Sequence, residues 1–192
     1  MLDKSVPYMK VQMKRDAGTP IPVFDLPDGF KFSMYKSGDE KSWAKIETSV
    51  LEFDDELDAL LFFQQDFMPY TQELTRRCVF VETVDGAKAA TATAWHEYTG
   101  VRRDPWLHWV SVRPEYQGLG LGKAIVSYVM RLMRDIEGDR DFYLSTQTWS
   151  HTAIRVYLKA GFYITGEKGL RGRENEAYPQ NVEFLRNIGV DT

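Results

Sequence analysis

Cysteine is nearly absent from this sequence. Cys78 stands alone, so an internal disulfide is excluded and a reducing compartment, the cytoplasm, is the simplest expectation. Its surroundings, Cys78-Val-Phe-Val, are apolar, which fits a buried structural thiol better than a nucleophile. No apolar run reaches the length of a membrane span, and the first ten residues hold no apolar signal core, so neither a membrane partner nor export is expected. An excess of positive charge is lacking too. The formal net charge is −4, which leaves no footprint for a nucleic-acid partner. Internal repeats and low-complexity tracts are also missing. What remains has ordinary globular composition, at a length that suits one domain over residues 1–192 with a sizeable core.

The stretch that organises the chain is Leu107–Arg134, LHWVSVRPEYQGLGLGKAIVSYVMRLMR. Leu107–Val112 is short and rich in β-branched and aromatic residues, and reads as a strand. Arg113–Gly122 holds a proline and three alternating glycines, Gly118, Gly120 and Gly122. Ile125, Val126, Val129, Met130, Leu132 and Met133 then cluster on one helical face. Strand, glycine turn and helix together make a device for holding phosphate. Glycines permit a tight turn and remove side chains that would keep an anion away, and the free N–H groups of the helix's first turn point at it.

The spacing excludes two common phosphate loops. A Walker A loop needs four residues between Gly and Gly-Lys, followed by Ser or Thr; here three residues separate Gly118 from Gly122, and Ala124 follows Lys123. A dinucleotide fingerprint needs G-x-G-x-x-G, and the count fails from Gly118 and from Gly120. What stands is Val-x-Pro-x-x-Gln-Gly-x-Gly-x-Gly, at Val112, Pro114, Gln117, Gly118, Gly120 and Gly122. This resembles the acetyl-coenzyme A signature, Q/R-x-x-G-x-G/A, of the GCN5-related N-acetyltransferase (GNAT) family. Thr148–Phe162 resembles that family's second motif, N-x-x-A-x-x-x-Y-x-x-x-G-F, with Ala153, Tyr157, Gly161 and Phe162 matching and Ser150 in place of the usual Asn.

The resemblance implies an α/β fold with a central mixed sheet flanked by helices, and acetyl-CoA as acyl donor. It implies a cofactor-binding core over about 107–162 in which Val110, Ser111, Val112, Gln117, Gly118, Leu119, Gly120, Leu121, Gly122, Lys123, Ser150 and Tyr157 meet the donor. Backbone amides of the loop would hold the pyrophosphate, and the strand at Val110–Val112 would offer a backbone N–H to the thioester oxygen. Tyr157 would act as general acid toward the coenzyme sulfur; packing on the apolar helix face is its alternative role. Ser150 would contact the donor or only cap its helix. The amine's proton acceptor is open: Glu97 is the first choice by family position and His108 the second, with His96 also titrating near neutral pH. Direct acetyl transfer to a primary amine, without metal, is the implied activity. The acceptor is an unidentified small molecule or peptide, and the protein a monomer or homodimer. A non-catalytic acyl-CoA-binding protein and transfer to a protein target are the alternatives.

The remaining chain fits that plan. Residues 1–27 give the weakest pattern: Met9, Val11 and Met13 alternate with Lys10, Gln12 and Lys14, a weak strand signal, before Pro20, Pro22 and Pro27 interrupt regular structure. Phe30–Lys36 reads as a strand. Ser37 and Glu40 form a capping-box pair before a helix near Asp39–Val50. Asp54 or Asp55 caps a second helix bearing Leu57, Leu60 and Leu61, which Pro69 ends. Cys78–Thr83 and Ala89–Glu97 make a hairpin around Asp85-Gly86. Tyr98–Pro105 reads as a loop whose Arg102 and Arg103 bind an anion or are merely solvated. Phe142–Gln147 is a strand, Ser150 opens a helix that Gly161 stops, and Phe162–Gly166 is a strand. Glu167–Asn175, with Lys168, Arg171 and Arg173, reads as a loop, and Val182–Leu185 as a final strand.

Overall fold

Seven strands form one sheet in the computed structural model, which describes residues 2–99, 102–167 and 175–190. They are β1 (Lys10–Arg15), β2 (Phe30–Met34), β3 (Cys78–Thr83), β4 (Lys88–Thr99), β5 (Arg102–Val112), β6 (Phe142–Gln147) and β7 (Tyr163–Ile164). Across the sheet the order is β2-β3-β4-β5-β6-β1-β7. Strands β5 and β6 run parallel, as a helical crossover requires, and the other neighbours are antiparallel. The helices are α1 (Glu40–Ser49), α2 (Glu56–Asp66), α3 (Thr71–Arg77), α4 (Leu121–Glu137), α5 (His151–Lys159) and α6 (Tyr178–Asn187).

The alternation of β4 separates two cores. Ala90, Ala92 and Ala94 face α4, and their small side chains let Ile125, Val126, Val129 and Met130 pack closely on the sheet. On the other face, Trp95 and Phe80 join Trp43, Phe63 and Phe67 in an aromatic cluster under α1, α2 and α3. A buried ion network ties these layers together. Arg77 pairs with Glu137 at 2.7 Å and donates to the Ala94 carbonyl at 2.9 Å, while Arg103 grips Glu137 with its two terminal guanidinium nitrogens. Each charge in it is matched, as buried charges require.

The alternation at Met9, Val11 and Met13 does belong to a strand, β1, paired on one side with β6 and on the other with β7. Other expectations are corrected. Ser37 makes no capping box: Asp39 stands at the N-cap without a side-chain cap, and the Glu40 carboxylate accepts from the Gly38 N–H and the Tyr35 hydroxyl. Helix α2 is capped by Asp55, which accepts from the Asp58 N–H at 2.9 Å, but it buries Ala59 and Phe63 and leaves Leu57 64% exposed. A helix at Thr71–Arg77 went unread because its sequence, TQELTRR, has almost no apolar stripe. The Tyr98–Pro105 loop is instead hairpin, with β4 and β5 paired from Ala90–Val112 out to Thr99–Arg102. Val182–Leu185 lies in α6, not a strand. Asn181 and Leu185, four residues apart, are its buried face, and the Asn181 amide donates to the Lys10 carbonyl on β1. Strand β7 is limited to Tyr163–Ile164, and Lys168, Arg171 and Arg173 lie outside the described residues.

Candidate active site

The site begins where β5 ends. Val112 leads through a short turn to Gly118 and Gly120, both left-handed at φ of +82° and +88°, a region that strains any residue with a Cβ. Open space lies where a side chain on Gly118 would stand. Helix α4 starts at Leu121 with no side-chain cap, so its first-turn N–H groups and the positive end of its dipole face the turn. A cavity of about 420 Å³ fronts this turn. Gln117, Gly118, Gly120, Leu121, Gly122 and Lys123 line it, as do Val110–Val112, Ser150 and Tyr157. Of the loop residues read from sequence, Leu119 alone turns away, half-exposed and outside the lining. The Gln117 amide donates back to the Val112 carbonyl at 2.8 Å and braces the turn. The Lys123 ammonium rests over the Phe24 ring. A glycine-lined turn with open space against an uncapped helix N-terminus fits the phosphates of a coenzyme A ester.

A second cavity, of about 680 Å³, opens between β5 and β6. These strands meet at Trp106–Tyr143, beyond which Val110–Ser111 and Leu144–Gln147 line the space between them. The two cavities share Glu52, Val110, Ser111, Ser150, Ala153 and Tyr157, so they join. Tyr157 stands at the junction. Its ring belongs to the α4-side core and burial raises its hydroxyl's pKa, which keeps the phenol protonated. Ser150 occupies the N-cap position of α5, but its side chain makes no cap hydrogen bond.

A bulge shapes the β5 wall. Thr93 faces His108 and Thr91 faces Ser111, so three steps on β5 oppose two on β4. Trp109 sits in the bulge with φ of +52°. The extra residue turns both His108 and Ser111 toward the aromatic side. His108 Nε2 comes within 3.5 Å of Glu97 Oε1, bringing together the two residues proposed from sequence as proton acceptors. Burial pushes the His108 imidazole down to about 3 and, with Arg103 nearby, also lowers His96, so both rings are neutral at ordinary pH.

One residue of this site was missed from sequence. Glu47, on α1, is fully buried and lines the larger cavity. The Ser111 hydroxyl donates to its Oε2 at 2.8 Å, while its Oε1 has no partner among the described residues. Burial pushes its carboxyl up to about 8, against the opposing effect of the Ser111 hydrogen bond. A signal existed: Trp43, Ile46, Glu47 and Val50 share the spacing of one helical face, and a charge inside an apolar face asks for a reason. Arg102 and Arg103, in contrast, are engaged by Asp104 and Glu137 respectively.

The architecture and the motifs agree with what known proteins share. A profile of the Acetyltransferase (GNAT) family matches residues 42–162. A mycothiol acetyltransferase of Salinispora tropica is 27% identical over 156 residues, which is 79% of this chain and 50% of that protein. N-acetyltransferase 8F1 of Rattus norvegicus is 36% identical over 91 residues, 47% of this chain and 36% of that protein. The chain thus spans half or less of the length of these curated relatives. A solved GCN5-related N-acetyltransferase from Sphaerobacter thermophilus superposes with a TM-score of 0.64 at 21% identity, covering 81% of this chain and 48% of that one, and shares its fold. With the family profile spanning both motif regions and the aromatic layer before them, this chain belongs to the GNAT acetyltransferase family, whose members use acetyl-CoA as donor.

Proposed function

We propose that this protein transfers acetyl from acetyl-CoA directly to a primary amine of a small molecule or peptide, acting in the cytoplasm as a monomer or homodimer. One observation carries the reading: a phosphate-cradling cavity and a carboxylate- and aromatic-lined cavity meet at Tyr157, beside the bulged strand at Val110–Ser111. When bound, acetyl-CoA supplies an activated acyl group as a thioester. The loop from Gln117 to Lys123 would hold its phosphates, with Ser150 near its arm.

Each residue's task follows from its surroundings. The acceptor amine must lose a proton, form a bond from nitrogen to the acetyl carbon, and displace sulfur, which leaves with a proton. Glu97 and His108, in mutual contact, serve as the path for the amine's proton. Tyr157, held protonated by burial, returns a proton to the departing sulfur. A backbone N–H in Val110–Val112, freed where β5 and β6 part, polarises the carbonyl. The products are the N-acetylamine and free coenzyme A, with protons balanced.

Thermal melts with acetyl-CoA, coenzyme A, ATP and NADH test the donor assignment. A ligand at a hundred times its dissociation constant stabilises the fold by about 2.7 kcal/mol. A rise with the two coenzyme A species alone is expected, followed by thiol release with an amine. A rise with ATP or NADH only would overturn the assignment. Binding without thiol release from any amine would instead make this an acyl-CoA-binding protein.

A further inference from the structure

The larger cavity is built to receive amine nitrogens at both ends. Four carboxyl side chains, Glu47, Glu52, Asp66 and Glu97, line it against a single lysine, Lys10. The two histidines on its wall add no cationic charge, since burial keeps both neutral. Near the junction with the donor cavity, fully buried Glu47 presents Oε1 with no partner among the described residues. A buried acceptor left unpaired is costly, and an amine nitrogen carries the donor that would satisfy it, beside a carboxyl that burial keeps protonated.

The opposite end is anionic by a separate device. Asp66 is the last residue of α2, an eleven-residue helix with no basic side chain in its final turn. The negative end of the helix dipole therefore adds to the Asp66 carboxylate. Phe67, the residue after Asp66, and Tyr70 both meet the Trp95 ring, at 5.2 Å and 6.0 Å between centroids, and such rings attract cations over their faces. Trp95 lies four strand residues from Thr91, the partner of Ser111, so the two ends are separated by about 13 Å of strand. Between them the wall is Phe62, Phe67 and Trp109, apolar surface suited to methylene groups.

We propose, building on the acetyl-transfer reading, that the acceptor is an elongated amine with a second cationic group, of the linear polyamine class. Its reacting nitrogen sits at Glu47 and Tyr157, and its distal ammonium at Asp66 among Tyr70 and Trp95.

Length-matched amines test this by thiol release from acetyl-CoA: spermidine, 1,8-diaminooctane, octylamine, which lacks the second ammonium, and 8-aminooctanoate, which replaces it with a carboxylate. The dications should exceed octylamine at least tenfold in kcat/KM, with aminooctanoate poorest. Asp66→Asn should shrink the advantage of the dications through KM, and Glu47→Gln should raise KM for every amine. Both variants should retain the coenzyme A thermal shift, which separates a lost subsite from a lost fold. Equal use of octylamine and 1,8-diaminooctane, or an undiminished preference in Asp66→Asn, would overturn the substrate class while leaving acetyl transfer intact. Thiol release from none of the amines would overturn the transfer reading itself, and this inference with it.

Discussion

The two faces of the central sheet are filled with different material. Under α4 the core is aliphatic and small, built from Ala90, Ala92, Ala94, Ile125, Val126 and Met130. Under α1 and α2 it is aromatic, and Trp43 alone meets five rings: Phe53, Phe62, Phe63, Phe67 and Trp109. On the first face α4 packs flat on the sheet, while the second stops short and leaves the 680 Å³ cavity. Alanine and β-branched residues pack a helix flat on a sheet. Large rings pack at steep angles and leave concave space whose walls already suit a ligand. Under the proposed function, the difference means that donor binding would rest on backbone held by a dense core and acceptor choice on side chains.

That contrast can be broken at its strongest point by Gly120→Glu. A side chain there must adopt φ near +88° with its Cβ 3.1 Å from the Lys123 side chain, and its charge would occupy the phosphate cradle. Coenzyme A binding should vanish in thermal melts, while melting without ligand changes far less. Retained affinity would refute the cradle. On the aromatic face, Trp43→Ala should cost about 3–5 kcal/mol of stability, read by urea denaturation, because a fully buried indole leaves a large void. Tyr157→Phe, at the seam between the faces, should lower kcat about a hundredfold with coenzyme A affinity kept. Equal turnover would end the general-acid role.

Two smaller effects sharpen the comparison. Glu47 keeps its proton in the folded state up to about pH 8 but releases it near its ordinary 4.5 when unfolded. The folded state therefore binds more protons between those values, and stability falls as pH rises through that window, by up to about 1.4 kcal/mol per unit. Below pH 4.5 the effect is fully favourable. Glu47→Gln should flatten this slope in melts compared between pH 5 and pH 8; an unchanged slope would show that Glu47 is ionised in the fold. Leu57→Gln, on the exposed side of α2, should change stability by no more than about 0.5 kcal/mol. A large loss would restore the helical face first read from sequence.

The sequence was most legible where backbone does the work. Gly118, Gly120 and Gly122 announce a turn, and α4's apolar stripe is regular enough to place its packed face. Strand Phe142–Gln147 is found with the bounds read for it. Legibility fails where tertiary pairing overrides local cues. The polar Arg102–Asp104 segment is a strand because it pairs with β4 and satisfies its charges on Glu137 and Arg140. Leu57 and Leu61 mimic a core face that α2 turns outward. Glu97 and His108 were named from sequence, but their contact depends on sheet twist and bulge, which no spacing encodes.

The single extra residue at Trp109 acts as a parity switch along β5. In a regular strand, positions 108 and 111 would show opposite faces. Here His108 and Ser111 both look toward α1, while Leu107 and Val112 both look toward α4. Removing that residue would leave two steps between His108 and Ser111, matching the two between Thr93 and Thr91, so the ladder would close into a regular strand with Ser111 still facing Glu47 and Val112 still facing the aliphatic layer. A one-residue deletion here would thus keep the wiring between donor loop and acceptor cavity and lose only the Trp109 ring and the bend it makes.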